Sequence, residues 1–456
     1  MKKTILYILL ATVVSGCGTY SNYKRPNDLP TDGLYGAETS VAETDTVSIA
    51  SLSWKELFTD HSLQALIDEG LQANTDLRIA RLKVDESKAA LMSARLAFLP
   101  SVSLTPQGTL SSFDGSKTTK TYSLGASASW ELDFFGRLRN AKQQAKANLE
   151  QSLYYKQAVQ SQLIASIAEC YYTLLMLDKQ ISISERSIGC WEENLRAVVA
   201  LKKAGTTNEQ AVAQSEANLK AARSSLLSLK EQQNATENSL CLLLGQTPHS
   251  IERGTLDVQE FPEELSVGVP LQLLSRRPDI RQSEMVLAAA FYATGEARSS
   301  FYPSVTLSGT AGWTNTNGLS IVNPGKWLLS AVGSLVQPLF DRGTNIARLK
   351  IAKAQQEEAL LSFRQDLLNA GTEVNEALTA WQLSKQRSEL NREEVILLQR
   401  ALHSAEQTMK YGNTTYLEVL TAQQSLLQAE LSACQEDFNE VLGVVSLYHA
   451  LGGGSE

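Results

Sequence analysis

The histidines and the known catalytic motifs limit the chemistry that this sequence can perform. Its four histidines do not cluster at the spacing of a metal site: His61, His249, His403 and His449. No Ser-His-Asp arrangement and no Gly-rich phosphate loop stands at a predicted strand-to-helix junction. We therefore predict that the protein is not an enzyme and that it has neither a metal site nor a cofactor.

One cysteine near the N-terminus does predict covalent chemistry. A basic start is followed by an apolar run, Ile5 to Val14, which at about ten residues is too short to span a bilayer as a helix. The run ends in Val-Ser-Gly-Cys17, which resembles a bacterial lipobox. We predict a signal peptide over residues 1–16 and lipid attachment at Cys17, which anchors through buried methylenes at about 0.8 kcal/mol each. The alternative is an ordinary cleavage site beside an incidental cysteine.

The other four cysteines fall in stretches with helical patterns. Cys170 and Cys190 lie on one predicted helix, about 30 Å apart at about 1.5 Å per residue, so they cannot form a disulfide with each other. We predict that these two, together with Cys241 and Cys434, act as small buried hydrophobic side chains.

The length and the net charge of the chain limit the classes of protein to which it can belong. The chain has 456 residues, enough for several domains or one elongated architecture. The net charge is −8 and no cluster of lysine and arginine occurs, so we predict that nucleic acid is not a partner.

The sequence is a tandem repeat. Residues 95–102 match residues 298–305 at an offset of 203, and residues 203–207 match residues 410–414 at an offset of 207. Each repeat has the same predicted order of helix, two strands and two further helices. The predicted strands span residues 101–110, 122–132, 304–313 and 327–339; the predicted helices include 62–98, 137–204, 209–244, 344–410 and 416–450.

The lengths of these elements favour a membrane protein. Helices of about 68 residues would be roughly 100 Å long, too long for one compact core, although an ordinary solvated coiled coil would share this feature. Strands of about ten residues with one apolar and one polar face have the length of transmembrane strands. Four strands cannot close a barrel in lipid, so several subunits must each contribute four. The pattern alone leaves two, three or four subunits open.

Four motifs, in the same order along the chain, carry a resemblance to a known family. Residues 130–139, 277–281, 337–341 and 447–454 read WELDFFGRLR, RPDIR, QPLFD and LYHALGGG. Together with the repeat and the lipobox, they resemble TolC-type outer-membrane efflux channels, in particular the lipid-anchored branch that serves resistance-nodulation-division pumps. The resemblance covers the chain from about Trp54 to Gly454.

This resemblance implies a mainly helical fold with a transmembrane β part, assembled as a homotrimer. A 12-stranded β-barrel would lie in the outer membrane above an α-helical barrel in the periplasm. It also implies a periplasmic adaptor protein and an inner-membrane transporter as partners, outer-membrane lipid around the barrel, and small molecules such as drugs as cargo. The alternatives are protein export through a type I system, metal-ion efflux, or a structural periplasmic coiled-coil lipoprotein.

The implied organisation follows the repeat. A lipid-anchored segment and belt would occupy residues 17–60, the first repeat 61–245, an equatorial connection 246–276, and the second repeat with the C-terminal tail 277–456.

The resemblance also places the functional sites at the two turns between long and short helices. These turns would form the periplasmic tip that contacts the adaptor; their residues are Gly205, Thr206, Thr207, Asn208, Tyr411, Gly412, Asn413, Thr414 and Thr415. Each turn glycine follows a long helix, so we predict the left-handed conformation that ends helices at both.

A gate is implied at Glu418 and Thr421. Three copies of Glu418 around a threefold axis would attract cations. Alternatively, Glu418 completes a capping box with Thr415. The sequence departs from some relatives here: Thr414 stands where they have a gate arginine, and Thr421 where they have a second acid.

Overall fold

The computed structural model describes residues 20–26, 29, 49, 52–112, 114–115, 118–259, 277–314, 326–411 and 416–455. Its helices are α1 (Trp54–Leu57), α2 (His61–Ala73), α3 (Thr75–Leu96), α4 (Arg137–Lys203), α5 (Glu209–Leu243), α6 (Pro278–Ser299), α7 (Thr344–Lys410) and α8 (Tyr416–Ala450). Its strands are β1 (Ser101–Ser111), β2 (Thr119–Leu132), β3 (Ser304–Thr314) and β4 (Lys326–Val336). The mainly helical fold with four strands is confirmed. None of the described helices combines the length and the apolar character needed to cross a membrane.

The chain divides into two compact units. The sheet unit comprises Met1–Leu29, Leu82–Tyr154 and Arg281–Asp366, and the helical unit comprises Pro30–Arg81, Tyr155–Ile280 and Leu367–Glu456. Each unit therefore takes segments from both repeats.

The four strands form one antiparallel sheet in the order β1-β2-β3-β4. Its register aligns side chains of one polarity across all four strands. One row is Leu104, Ala126, Ala311 and Leu329, and the adjacent row is Ser103, Ser127, Thr310 and Ser330. The predicted alternation is confirmed, although β4 also places Val332 and Val336 on the polar face.

The predicted end of the fourth strand was wrong. β4 stops at Val336 and does not continue to residue 339. Pro338 has no backbone N–H to donate to a ladder, and the Gln337 side chain instead donates to the Phe301 carbonyl at 3.0 Å. β2 also begins earlier than predicted, at Thr119, where it pairs with Ser111.

The predicted single helix over residues 62–98 was also wrong. It is two helices that meet at Asn74, whose side chain is buried. The Asn74 Oδ1 accepts a hydrogen bond from the Leu77 amide at 3.0 Å and so caps α3. Its Nδ2 donates to the Leu243 carbonyl at the end of α5, at 2.9 Å.

The main core lies in the helical unit and is rich in aromatic side chains. Phe58, Tyr171, Tyr172 and Tyr448 are all buried in it. The Tyr171 hydroxyl donates a hydrogen bond to Asp60 Oδ2 at 2.6 Å. Burial raises the pKa of the Tyr171 phenol, and its hydrogen bond to Asp60 raises that pKa further, so Tyr171 stays protonated.

The prediction for the cysteines holds in part. Cys241 and Cys434 are buried and Cys170 is half-buried, but Cys190 is exposed. Burial raises the pKa of the Cys170 thiol to about 11 and that of the Cys434 thiol to about 12, so both are protonated and weakly reactive at neutral pH.

Candidate functional site

The apolar face of the sheet is a large exposed surface. Val102, Leu104, Leu110, Leu329 and Leu335 are all exposed. Monomeric soluble proteins rarely leave so many neighbouring apolar side chains in water. This face therefore requires an apolar partner. The opposite face carries hydroxyl groups that bond across the strands, as Ser103 and Ser127 do at 2.7 Å.

A glycine shapes the first of the two turns, the one between α4 and α5. Gly205 has φ +76°, the left-handed conformation that the sequence predicted. Its amide donates to the Lys202 carbonyl and the Thr206 amide donates to the Leu201 carbonyl, both at 3.0 Å, which closes α4 in a Schellman motif. The Asn208 side chain then accepts from the Ala211 amide at 3.0 Å and caps α5.

Charge also closes this turn. Lys202, in the last turn of α4, forms an ion pair with Glu209, in the first turn of α5. A cation near a helix C-terminus and an anion near a helix N-terminus both suit the helix dipoles. The sequence-predicted residues Gly205, Thr206, Thr207 and Asn208 therefore lie together in one short turn.

The second turn is described only at its edges. Tyr411 follows α7 and is exposed, whereas Gly412, Asn413, Thr414 and Thr415 lie outside the described residues. The proposed capping box therefore remains a prediction. Glu418 and Thr421 occupy the first two turns of α8 with exposed side chains, and the Thr421 hydroxyl donates to the Leu417 carbonyl at 2.8 Å.

A contact between the two hairpins was not predicted from the sequence. The half-buried side chain of Tyr416, at the start of α8, lies beside Ser215 on α5. Burial raises the pKa of the Tyr416 phenol, and the neighbouring Ser215 hydroxyl acts against this rise. Ser215 is buried on a helical stripe with Val212, Leu219 and Ala222. A serine within an apolar stripe at helical spacing was the available signal.

Two equivalent joints hold the ends of α5 and α8. At the first joint the Asn74 amide donates to the Leu243 carbonyl. At the second, Arg277 Nη1 donates to the Ala450 carbonyl at 2.8 Å. Arg277 follows Asn74 by the repeat offset of 203, and Ala450 follows Leu243 by 207. Both repeats thus satisfy the same orphan carbonyl at a helix C-terminus.

The second joint carries charge. Arg277 is 4% exposed. Its guanidinium binds Asp279 through Nε at 3.0 Å and Glu373 through Nη2 at 2.7 Å. Burial alone would raise the pKa of Asp279, but the hydrogen bond and charge of Arg277 outweigh it and lower that pKa. Burial lowers the pKa of the neighbouring His449 imidazole, and the Arg277 charge lowers it further.

Cys17, the predicted lipid attachment residue, lies outside the described residues, as do residues 1–16. Among the residues that the structure does describe, no group of three or more His, Cys, Asp and Glu side chains is placed to hold a metal ion.

Comparison with known proteins agrees with this architecture. The sequence model of the outer membrane efflux protein family matches residues 66–246 and 269–453. The chain is 28% identical over 453 residues to the cation efflux system protein CusC of Escherichia coli, covering 99% of this chain and 98% of CusC. It is 27% identical to the probable outer membrane lipoprotein SilC of Salmonella typhimurium, covering 99% of each.

The chain is also similar to a relative that is named for toluene instead of cations, and to a solved structure. The toluene efflux pump outer membrane protein TtgC of Pseudomonas putida is 29% identical over 470 residues, covering 100% of this chain and 96% of TtgC. The structure of the outer-membrane channel OprN superposes with a TM-score of 0.87 at 28% identity, covering 96% of this chain and 99% of OprN.

Proposed function

The chain belongs to the outer membrane efflux protein family, and we propose that three copies of it close a single barrel of twelve strands, four from each chain. The protein is an efflux duct of the outer membrane. The barrel crosses the lipid, and the long helices of the three copies line a tunnel in the periplasm.

The observation that carries the proposal is the open four-stranded sheet. β1 and β4 form its two edges, and one of its faces is exposed and apolar. Strand edges cannot face lipid, because unsatisfied backbone groups cost several kcal/mol each there. Barrels begin at about eight strands, so two copies would suffice for closure. Three copies is the number that the family resemblance implies.

Neighbouring residues on opposite faces test the barrel. Ala126 lies in the apolar row and Ser127 in the polar row. We expect Ala126→Arg to reduce the amount of assembled protein, because an arginine facing lipid costs roughly 2–4 kcal/mol at mid-membrane. Ser127→Arg should assemble and should instead change single-channel conductance in planar bilayers. Equal loss of assembly in both variants would contradict the assignment of faces.

We also propose that Cys17 carries the lipid. A relative named as a lipoprotein, SilC, supports this. Radiolabelled palmitate should enter the wild-type chain and not the Cys17→Ser variant. Unchanged labelling of that variant would remove the proposal. Function should be reduced but not lost in Cys17→Ser, since the apolar face of the sheet still inserts into the membrane.

The two turns between helices are proposed as the contact for a periplasmic adaptor, which links the duct to an inner-membrane transporter. Gly205→Val should strain the first turn, because a β-branched residue disfavours its positive φ. We expect normal assembly with weaker adaptor cross-linking and lower efflux. Gly189→Val, inside α4 where an added Cβ meets nothing within 4 Å, is the matched control. Loss of assembly in Gly205→Val alone would make the turn a folding element instead.

Glu418 is proposed to line the periplasmic end of the tunnel as a ring of three carboxylates. Glu418→Gln should lower cation selectivity in planar bilayers. If selectivity is unchanged and only thermal stability falls, the capping role with Thr415 is the correct one. Thr414 and Thr421 stand in place of a gate arginine and a second acid, so the closed tip is either held more loosely or held by other contacts. The contact of Tyr416 with Ser215 is our candidate for the second case.

We propose small molecules such as drugs as cargo, with metal ions as the second candidate because of the relative named as a cation efflux protein. No catalytic step is assigned to the duct. Deleting the gene and comparing growth on solvents and antibiotics with growth on a panel of metal salts separates the two. Sensitivity to the metal salts alone would favour the second candidate.

A further inference from the structure

A cavity of about 300 Å³ lies in the helical unit, between α7, α8 and the short 3-10 helix Leu256–Val258. Ligand pockets in proteins begin at about 300 Å³, so this cavity suits a small molecule of the size of an amino acid. Every residue of its lining belongs to one chain. A ligand bound here would therefore not depend on the number of copies that assemble.

Part of the lining is apolar. Leu256, Val441 and Val444 are buried and form the floor of the cavity. The Trp381 indole forms a wall, and its helix lies so close to α8 that a Cβ added at Gly443 would stand 2.9 Å from the Trp381 Cβ. This close packing fixes the indole, and an aromatic wall above an apolar floor favours a ligand with a flat apolar body.

Several charged groups around the cavity already bind one another. Asp437 accepts hydrogen bonds from the Lys179 ammonium at 3.1 Å and from the Arg392 guanidinium at 2.8 Å. The Ser388 hydroxyl donates to the same carboxylate at 2.9 Å, and Lys179 also pairs with Asp257 at 2.7 Å. Burial acts to raise the pKa of Asp437, but these hydrogen bonds outweigh it and lower that pKa, so Asp437 stays ionised. This network is complete without a ligand.

Two further charged groups of the lining face each other across the cavity. In the antiparallel pair of α7 and α8, Ser388 donates to Asp437. Lys385 lies three positions before Ser388, and Glu440 lies three positions after Asp437, which brings both to the same level. In the described part of the chain neither group forms an ion pair, and the Lys385 ammonium lies 5.9 Å from the Trp381 ring centroid. The cavity thus keeps a cation and an anion apart.

We propose that the cavity binds a small zwitterion with an apolar body, such as a free aromatic amino acid. Its ammonium donates to Glu440, its carboxylate accepts from Lys385, and its ring rests on the apolar floor beside the Trp381 indole. Both charges of the ligand are needed, because a cation alone would stand beside Lys385 and an anion alone beside Glu440. No residue of either turn between helices lines the cavity, so this site is distinct from the proposed adaptor contact.

Isothermal titration of the detergent-solubilised protein with L-phenylalanine tests the proposal. Two analogues each lack one charge: phenethylamine has no carboxylate, and hydrocinnamate has no ammonium. We expect one phenylalanine to bind to each chain, and each analogue to bind about tenfold more weakly or worse, because it leaves one charged group of the site without a partner. Phenylalanine at about 10 mM would fill about nine-tenths of a site with a Kd of about 1 mM, so even weak binding is measurable.

Two substitutions assign the two ends of the ligand. Lys385→Gln should weaken the binding of phenylalanine about tenfold and leave that of phenethylamine unchanged, because phenethylamine has no group for Lys385. Glu440→Gln should weaken phenylalanine equally and leave hydrocinnamate unchanged. Lys220→Gln and Glu216→Gln are the matched controls on α5, where both side chains are exposed and outside the lining, and they should bind phenylalanine as the wild type does.

The fluorescence of Trp381 gives the place of binding. Phenylalanine should shift the indole emission, excited at a wavelength that phenylalanine does not absorb, and Trp381→Phe should abolish that shift. A shift that persists in Trp381→Phe would place the ligand elsewhere and overturn the inference. It is also overturned if phenylalanine does not bind, if either analogue binds as tightly as phenylalanine, or if Lys385→Gln and Glu440→Gln bind it as the α5 controls do.

Discussion

The two joints of the repeat satisfy the same backbone carbonyl with different chemistry. The neutral amide of Asn74 holds the end of α5, whereas the buried guanidinium of Arg277 holds the end of α8. Asn74 is neutral: its Nδ2 donates to the Leu243 carbonyl, and its oxygen caps a helix. Arg277 brings a full charge into the interior, so it also needs Asp279 and Glu373.

A repeated backbone geometry therefore does not fix the side chain that supports it. The neutral joint costs little to bury and is insensitive to pH. The charged joint costs more to desolvate, but it ties three segments together: the start of α6, the middle of α7 and the end of α8. We infer that the second joint is the more cooperative of the two.

Removing the charged joint should have the largest effect. Arg277→Met keeps much of the side-chain volume but leaves the Ala450 carbonyl and Asp279 without their partner. We expect a loss of about 3 kcal/mol in the free energy of unfolding, the lower end for breaking a buried ion pair, since both carboxylates are half-exposed. Urea unfolding in detergent, followed by circular dichroism, measures it.

Arg281→Met is the matched control for that variant. Arg281 lies four residues further along and contacts Tyr154 through a cation–π interaction and a hydrogen bond. Its loss should cost about 1 kcal/mol. Equal losses in the two arginine variants would mean that Arg277 does not act as a joint.

Disrupting the neutral joint should lower the free energy of unfolding by less than disrupting the charged joint. Asn74→Ser retains an oxygen that can cap α3 but removes the amide that donates to Leu243. We expect a loss of about 1.5 kcal/mol, the cost of one unsatisfied buried carbonyl. The same unfolding experiment tests it, with Asn238→Ser on α5 as a control at an exposed asparagine. A loss in Asn74→Ser as large as that in Arg277→Met would break the proposed difference between the joints.

Of the two joints, only the second should respond to a lower pH. The resulting loss of stability should be smaller than the losses expected from the substitutions. The folded-state pKa of His449 is lowered by burial and by Arg277. Below its ordinary value of 6.5, the unfolded chain therefore binds a proton that the folded chain does not, and stability falls as pH falls.

At lower pH the carboxyl of Asp279 adds to this loss. Burial acts to raise the pKa of Asp279, but Arg277 outweighs it, so the net pKa is lowered. The stabilising contribution of Asp279 is therefore lost as the pH falls through that lowered pKa. His449→Gln should flatten the decline that begins near pH 6.5 without removing the later one. An unchanged pH profile in His449→Gln would show that His449 does not contribute to the decline.

What the sequence could predict was local. The alternation of the strands, the bounds of α7 and α8 and the left-handed Gly205 all follow from neighbours within a few residues. The break at Asn74 could not be predicted, because its partner Leu243 is 169 residues away and no proline marks the site. The Tyr416–Ser215 contact was missed for the same reason.

The central claim is that one chain supplies only part of a barrel. Light scattering of the detergent-solubilised protein, corrected for bound detergent, tests it most directly. We predict a single species with just under three times the 49.8 kDa of one full chain, because the predicted signal peptide over residues 1–16 would be absent from each copy. A monodisperse monomer or dimer would contradict the account, because four or eight strands cannot form the twelve-stranded barrel proposed.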